Sequence, residues 1–217
     1  MTVEMHDYTG PILDREELDR WKGISTTVIS DGLGRINGIS GAIQTLVPDM
    51  PFIGQALTVK PLPRNNTALH YALDKAWLGC VMVVDAGGEM ASAVWGGVSI
   101  QAAKARGMAA VVVDGCVRDI DLIRAAGVPV YSRGWAPNGP GQDIGGAVNV
   151  RITCGGIDIK PGDLIFGDND GVVAAPIDDL DGLYAKCKER SDQRADYFKR
   201  IAEGTVTHDI WNPQCGK

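Results

Sequence analysis

The chain has 217 residues, 45% of them hydrophobic, and a formal net charge of −6; that length supports one well-buried core and favours one domain over two. The acidic balance, with no Lys/Arg stripe interleaved with aromatics, offers no footprint for a phosphate backbone, so nucleic acid is not an expected ligand. No apolar run approaches the roughly 20 residues that a bilayer span needs, and the start MTVEMHDYTG lacks the basic-then-apolar layout of a secretion signal, so a cytoplasmic protein with no membrane partner is expected.

Asp14, with Glu17 three residues on and ahead of Leu18 and Trp21, reads as a capped helix start, and Thr27 to Leu33 as a second short helix. Together they form a helical lead-in over residues 14–34. Gln55 to Lys60 alternates like a strand, Pro61-Leu-Pro63 breaks it, and Asn66 to Trp77 carries Leu69, Leu73, Ala76 and Trp77 at helical spacing. Val81 to Val84 is a continuous apolar strand, and Asp85-Ala-Gly-Gly88 reads as the turn that ends it. Ser99 to Arg106 is a small-residue helix closed by Gly107; Ala109 to Val113 is the next strand, Ile120 to Ala126 a helix ended by Gly127, and Pro129 to Tyr131 a returning strand.

Beyond residue 147 the rhythm changes to short β runs, Val148 to Ile152, Ile157 to Ile159, Leu164 to Phe166 and Val172 to Ala175, separated by glycine-rich turns. This half reads as an antiparallel sheet. Asp178 to Ala202 then places Leu180, Leu183, Tyr184, Cys187, Ala195, Phe198 and Ile201 mostly at helical spacing in a charged segment, which predicts a long amphipathic helix. With no low-complexity linker between the halves, one mixed α/β domain is expected: lead-in 14–34, core 53–177, C-terminal helix 178–203.

Several chemistries lack their residues. Cys80, Cys116, Cys154, Cys187 and Cys215 are odd in number and contain no C-x-x-C, which disfavours a disulfide framework or zinc ribbon and implies reduced thiols. His6, His70 and His208 do not pair at metal-ligand spacing, and no G-x-S-x-G elbow is present. Gly32-Leu-Gly34-Arg-Ile-Asn-Gly38 has the wrong spacing for a dinucleotide loop and follows a helix. Lys60 is the one conceivable Schiff-base lysine and reads better as a strand-end residue. Asp168-Asn-Asp-Gly171 lacks the rest of a calcium loop and reads as a hairpin turn. Trp95 and Trp135 flank glycine-rich loops, where packing is as good an account as a pocket.

Two features remain. Trp95-Gly96-Gly97-Val98-Ser99 opens a helix, so its first N–H groups lack intrahelical acceptors and suit a carboxylate, although a tight strand-to-helix connection needs nothing more. If the strands on either side are parallel neighbours, the loop after Val113 lies beside it, and Arg118 and Asp119 face the same cleft. Arg118 offers a planar fork to a carboxylate or enolate oxygen, and Asp119 a hard oxygen to Mg²⁺ or Mn²⁺. The alternative is that Asp119 caps the following helix and Arg118 makes a surface ion pair worth about 0–1 kcal/mol.

The ordered series GQALTVK, VVDAGGEMASAVWGG, AAVVVDGCVRD and VNVRITCGGIDIKPGDLIFGDNDGVVAAP resembles the family of 4-hydroxy-4-methyl-2-oxoglutarate/4-carboxy-4-hydroxy-2-oxoadipate aldolases and regulators of ribonuclease E activity, across nearly the whole chain. Its most specific part is Gly97, 20 intervening residues, then Arg118-Asp119. The resemblance implies a swivelling β/β/α fold, a homotrimer or dimer of trimers, and a site between subunits. It implies a Mg²⁺- or Mn²⁺-dependent class II aldolase that releases pyruvate from a small 2-oxo acid, with oxaloacetate decarboxylase activity. Arg118 matches the pyruvate-contacting arginine and Asp119 the metal-ligating aspartate, while Gly96, Gly97, Val98 and Ser99 match the backbone stretch that receives the pyruvate carboxylate.

The ribonuclease regulators typically lack that aspartate, so the intact pair favours the enzyme, with a protein-binding regulator as the alternative. A metal-dependent lyase or decarboxylase for another small 2-oxo acid is a nearer alternative. This chain departs from the family at two points: Gly97 stands where some aldolases carry an acidic residue, and Thr205, with Glu203 two residues earlier, stands where a neighbouring subunit's glutamate would be.

Overall fold

The computed structural model describes residues 2–211, so Cys215 lies outside the described residues. Its elements are β1 (Glu4–Met5), α1 (Arg15–Asp19), α2 (Thr26–Gly32), β2 (Gln44–Thr45), β3 (Phe52–Lys60), α3 (Thr67–Lys75), β4 (Val81–Trp95), α4 (Gly97–Ala105), β5 (Ala110–Val117), α5 (Ile120–Ala126), β6 (Val130–Trp135), β7 (Ala147–Val148), β8 (Ile152–Cys154), β9 (Ile157–Ile159), β10 (Leu164–Asp168), β11 (Gly171–Ala175), α6 (Leu180–Ala202) and α7 (Thr207–Trp211).

A mixed sheet runs in the order β1-β7-β3-β4-β5-β6-β2, and the β10–β11 hairpin adds to the same edge of β3 that β7 occupies further along. Strands β3, β4, β5 and β6 are mutually parallel, with Val81 opposite Ala110 and Val111 opposite Val130. The apolar runs are continuous because both faces are covered. Leu57, Met82, Val111 and Val113 pack under α3, α4 and α5 with Leu69, Ile100 and Ile123, while Val81, Val83 and Val112 face Ile39, Ile43, Ile152 and Ile159 on the other side. A third cluster joins Trp21, Ile29, Phe166 and Leu183, tying the lead-in to the start of α6. Asp14 caps α1 as its spacing predicts, its Oδ1 accepting from the Glu17 N–H at 2.9 Å.

Three expectations are corrected. Asp85-Ala-Gly-Gly88 does not end a strand: it lies within the 15-residue β4, where register shifts against β5 between Val84 and Trp95 mark a bulged excursion. Gly87 and Gly88 take φ of +66° and +74° there, so they bend the strand rather than terminate it. The run Val148 to Ile152 is broken by Asn149 at φ +56°, whose N–H bonds Thr58 O and whose Nδ2 bonds His6 O, so two short strands replace one. The β-rich half is also not one antiparallel sheet, since β10–β11 belongs to the main sheet and β8–β9 is a separate ribbon. The long C-terminal helix is present, but its buried residues are Leu180, Leu183 and Cys187, all in its first third.

Candidate active site

The parallel pairing of β4 with β5 brings the ends of the two strands together, Trp95 opposite Val117. The α4 and α5 connections therefore emerge side by side outside the carboxyl ends of the strands, the end of an open α/β sheet at which ligand clefts form. A cleft of about 260 Å³ opens there, lined by Gly96, Gly97, Val98, Ser99, Arg118 and Asp119 among others. Gly96, Gly97, Val98, Ser99, Arg118 and Asp119, the residues expected to form the site, thus reach one place. A larger groove of about 760 Å³ lies against the lead-in, lined by Leu13, Leu18, Trp21, Ile24 and Phe52 among others; its carboxylates are already engaged, Asp168 by the Thr26 N–H and hydroxyl at 2.8 and 2.7 Å, Asp14 by the Glu17 N–H and Asp19 by Lys22. Chemistry, rather than size, selects the smaller cleft.

Asp119 precedes α5 in the left-handed region, φ +60° and ψ +47°, and its side chain does not cap that helix. Its Oδ2 instead accepts from the Gly97 N–H at 2.8 Å, across the cleft floor at the start of α4. A non-glycine residue held there costs about 1–2 kcal/mol, though Asp tolerates it better than most. Oδ2 is 3.8 Å from Arg118 Nε, and the two side chains are 44% and 43% exposed. This loose contact is not a closed ion pair, and both groups remain turned to the cleft. Arg118 is anchored through its backbone, its N–H donating to Trp95 O at 2.9 Å.

The glycines are there for clearance. A Cβ on Gly139 would sit 2.6 Å from Arg118 Nη1, and one on Gly96 would sit 2.8 Å from Asp119 Oδ2. Leu122 packs over Gly97, its Cδ1 2.6 Å from where a Cβ would stand, so in this chain an acidic residue there requires the exposed Leu122 end to move aside. Gly97 also spends its N–H on Asp119, which leaves Val98 and Ser99 as the α4 amides available to a carboxylate.

The cleft's far wall was not read from the sequence. Asn66, at the α3 N-terminus, and exposed His70 line it, together with Gly139, Pro140 and Gln142. The loop after β6 is strapped in place by Ala93 N–H to Asn138 O at 2.9 Å, Ser92 Oγ to Gly139 O at 2.9 Å, and Gly141 N–H to Arg64 O at 2.8 Å. The Asn66 and His70 side chains meet at 3.0 Å, and their i, i+4 spacing on one helix face is the signal that marks them. Trp95 is buried core and Trp135 is exposed. Lys60 pairs with Asp85 at 3.2 Å. Glu203 and Thr205 close α6, away from this cleft.

Among the described residues no group of three or more His, Cys, Asp or Glu is placed to hold a metal. Asp119, with one oxygen fixed by Gly97 and no partner on the other among the described residues, fits Mg²⁺ or Mn²⁺ as the single carboxylate of a site completed by water and substrate oxygens, the coordination such ions accept.

A mixed α/β domain with a helix start and an Arg-Asp pair brought together at the carboxyl ends of two neighbouring parallel strands defines the class. Within it, the chain belongs to the RraA-like family (Aldolase/RraA), whose model matches residues 26–174. A protein of Halalkalibacterium halodurans bearing the name "Putative 4-hydroxy-4-methyl-2-oxoglutarate aldolase" is 35% identical over 181 residues, 82% of this chain and 86% of that one. A solved structure from Pseudomonas syringae pv. tomato superposes with a TM-score of 0.79 at 26% identity, covering 93% of this chain and 99% of that one. The RNA-processing inhibitor RraA from Thermus thermophilis superposes with a TM-score of 0.65 at 26% identity, covering 70% and 92%. No helix among the described residues is long and apolar enough to cross a membrane.

Proposed function

We propose that the protein is a cytoplasmic, divalent-metal-dependent carbon–carbon lyase that cleaves a 4-hydroxy-2-oxo diacid, such as 4-hydroxy-4-methyl-2-oxoglutarate or 4-carboxy-4-hydroxy-2-oxoadipate, to release pyruvate, with decarboxylation of oxaloacetate as a side activity. The observation that carries this reading is Asp119 in its left-handed conformation, tied to Gly97 and beside Arg118. Backbone strain is kept where surrounding contacts dictate it, and here they aim a carboxylate into a cleft.

Mg²⁺ or Mn²⁺, when bound, supplies Lewis acidity at the substrate's keto oxygen. Asp119 holds that cation's place. The Val98 and Ser99 N–H groups receive the substrate carboxylate at the positive end of α4. Arg118, which cannot give up its proton, stabilises the oxygen on which negative charge develops as the C–C bond opens. Val98, which lines the cleft, is 81% exposed, and Leu122, which lies against Gly97, is 52% exposed; apolar groups left uncovered beside the cleft support its closure by a second subunit in a homotrimer or dimer of trimers.

A pyruvate-coupled assay over hydroxy-oxo diacids and oxaloacetate, with Mg²⁺, Mn²⁺ or chelator, tests the reading. Metal-dependent pyruvate release is expected; full activity in chelator would overturn the metal role, and no pyruvate from any substrate would overturn the lyase. The likeness to an RNA-processing inhibitor supports a second reading, a non-catalytic protein-binding regulator, which predicts no turnover and a stable complex with a ribonuclease.

A further inference from the structure

We infer that His70 is the base that takes the proton from the substrate's C4 hydroxyl during cleavage, an assignment that rests on the lyase reading and deepens it. Retro-aldol cleavage requires removal of that proton, and the side chains lining the cleft that can titrate are His70, Arg118 and Asp119. Arg118 stays protonated, and Asp119 is engaged with Gly97. His70 is the histidine of this wall; His6 and His208 lie elsewhere, against Glu4 at 2.7 Å and Asp209 at 2.9 Å.

Asn66 sets up the imidazole. Its amide meets His70 Nε2 at 3.0 Å with Nδ2 facing the ring, while its Oδ1 is buried with no donor. In the tautomer that serves as a base the amide is turned over, so that Oδ1 accepts from an Nε2–H; the 3.0 Å heavy-atom contact is the same in either orientation. The ring proton is then fixed on Nε2, and Nδ1, which has no other partner among the described residues, keeps its lone pair. Asn66 is thus a positioning residue. In the step itself Nδ1 takes the hydroxyl proton, the O–H electron pair becomes the new C=O, and the C3–C4 bond breaks with its electrons passing to the pyruvate enolate. The imidazolium then gives that proton up to solvent, and the enolate takes one at C3 from water, so the sum is substrate to pyruvate plus a carbonyl acid. Oxaloacetate has no C4 hydroxyl, so its loss of CO₂ does not need this base.

That difference gives the test, made on the full chain with Mn²⁺. In His70→Ala and His70→Asn, cleavage of 4-hydroxy-4-methyl-2-oxoglutarate is expected to fall by about 10²- to 10⁴-fold, the span of general-base catalysis. Oxaloacetate decarboxylation, oxalate binding and the melting temperature are expected to stay at wild-type values, and added imidazole to restore part of the cleavage in His70→Ala. Asn66→Ala should lower cleavage less, with the same sparing of decarboxylation. Loss of both activities in both His70 variants, or loss of neither, overturns the assignment. Wild-type protein that releases pyruvate from neither substrate overturns the lyase reading instead, and the base assignment falls with it.

Discussion

Asp119 separates structural from chemical roles when replaced by two different residues. In Asp119→Asn the side chain still tolerates the left-handed backbone at φ +60° and still offers an oxygen to the Gly97 N–H, but the charge that would hold a divalent cation is gone. Asp119→Ala loses the 2.8 Å bond to Gly97 as well. A hydrogen bond to a charged group contributes about 1.5–3 kcal/mol, cut to about 1 kcal/mol at this half-exposed position, and alanine in the left-handed region adds roughly 1 kcal/mol of strain. The total of about 2 kcal/mol corresponds to a fall of about 4–8 °C in melting temperature for a chain this long, whereas the asparagine variant should melt within about 2 °C of wild type. Both should lose metal-dependent pyruvate release by at least about 100-fold, as removal of a group stabilising transition-state charge does. Differential scanning fluorimetry and a pyruvate-coupled assay read the two effects separately. Equal melting of the two variants would refute the backbone account, and an active Asp119→Asn would refute the metal account.

Gly139→Ala places a methyl 2.6 Å from Arg118 Nη1; displaced guanidinium should raise KM for the 2-oxo acid with little change in melting temperature, and an unchanged KM would remove Arg118 from substrate binding. Gly97→Asp drives its Cβ to 2.6 Å from Leu122 Cδ1 and 3.2 Å from Asp119 Oδ2; the exposed Leu122 end can swing aside, so stability should fall by no more than about 1 kcal/mol, the low end of overpacking costs, with part recovered by adding Leu122→Ala; urea unfolding of both variants checks this. Burial pushes the Cys80 and Cys187 thiols from 9.0 up to about 11. The folded chain therefore keeps these protons after the unfolded chain has lost them, and stability should fall as pH rises from about 9 to 11; a melting temperature that is flat there in wild type, or that falls equally in Cys80→Ala/Cys187→Ala, would contradict it. At pH 8 iodoacetamide should label Cys80, Cys154 and Cys187 only on unfolding, read by mass spectrometry.

What was readable in the sequence followed from local chemistry. Gly107 and Gly127 end α4 and α5 at φ of +64° and +71°, and the apolar runs between them fall in register as parallel neighbours, which is enough to place Arg118-Asp119 beside Gly96-Gly97. What was hidden depends on partners distant in the chain. The glycine pair at Gly87-Gly88 carries every mark of a turn, and only β5 alongside makes it part of a strand. The carboxylate of Asp119 stands directly before a helix, the usual place for a cap, yet the left-handed backbone turns it toward Gly97, 22 residues earlier. Asn66 and His70 sit on a helix far upstream of the loops they face, and they enter the cleft because β3 lies next to β4.

The excursion in β4 has a consequence for how this scaffold can vary. β4 has fifteen residues and β5 eight, yet the two meet again at Trp95 and Val117. The surplus is absorbed before the last pair, so the height of the cleft floor is set by that pair and not by the count of residues leading to it. Insertions or deletions among residues 86–88, ahead of the Glu89–Gly115 pair and the Ser92 strap, can accordingly reshape the outer rim while leaving the floor in place.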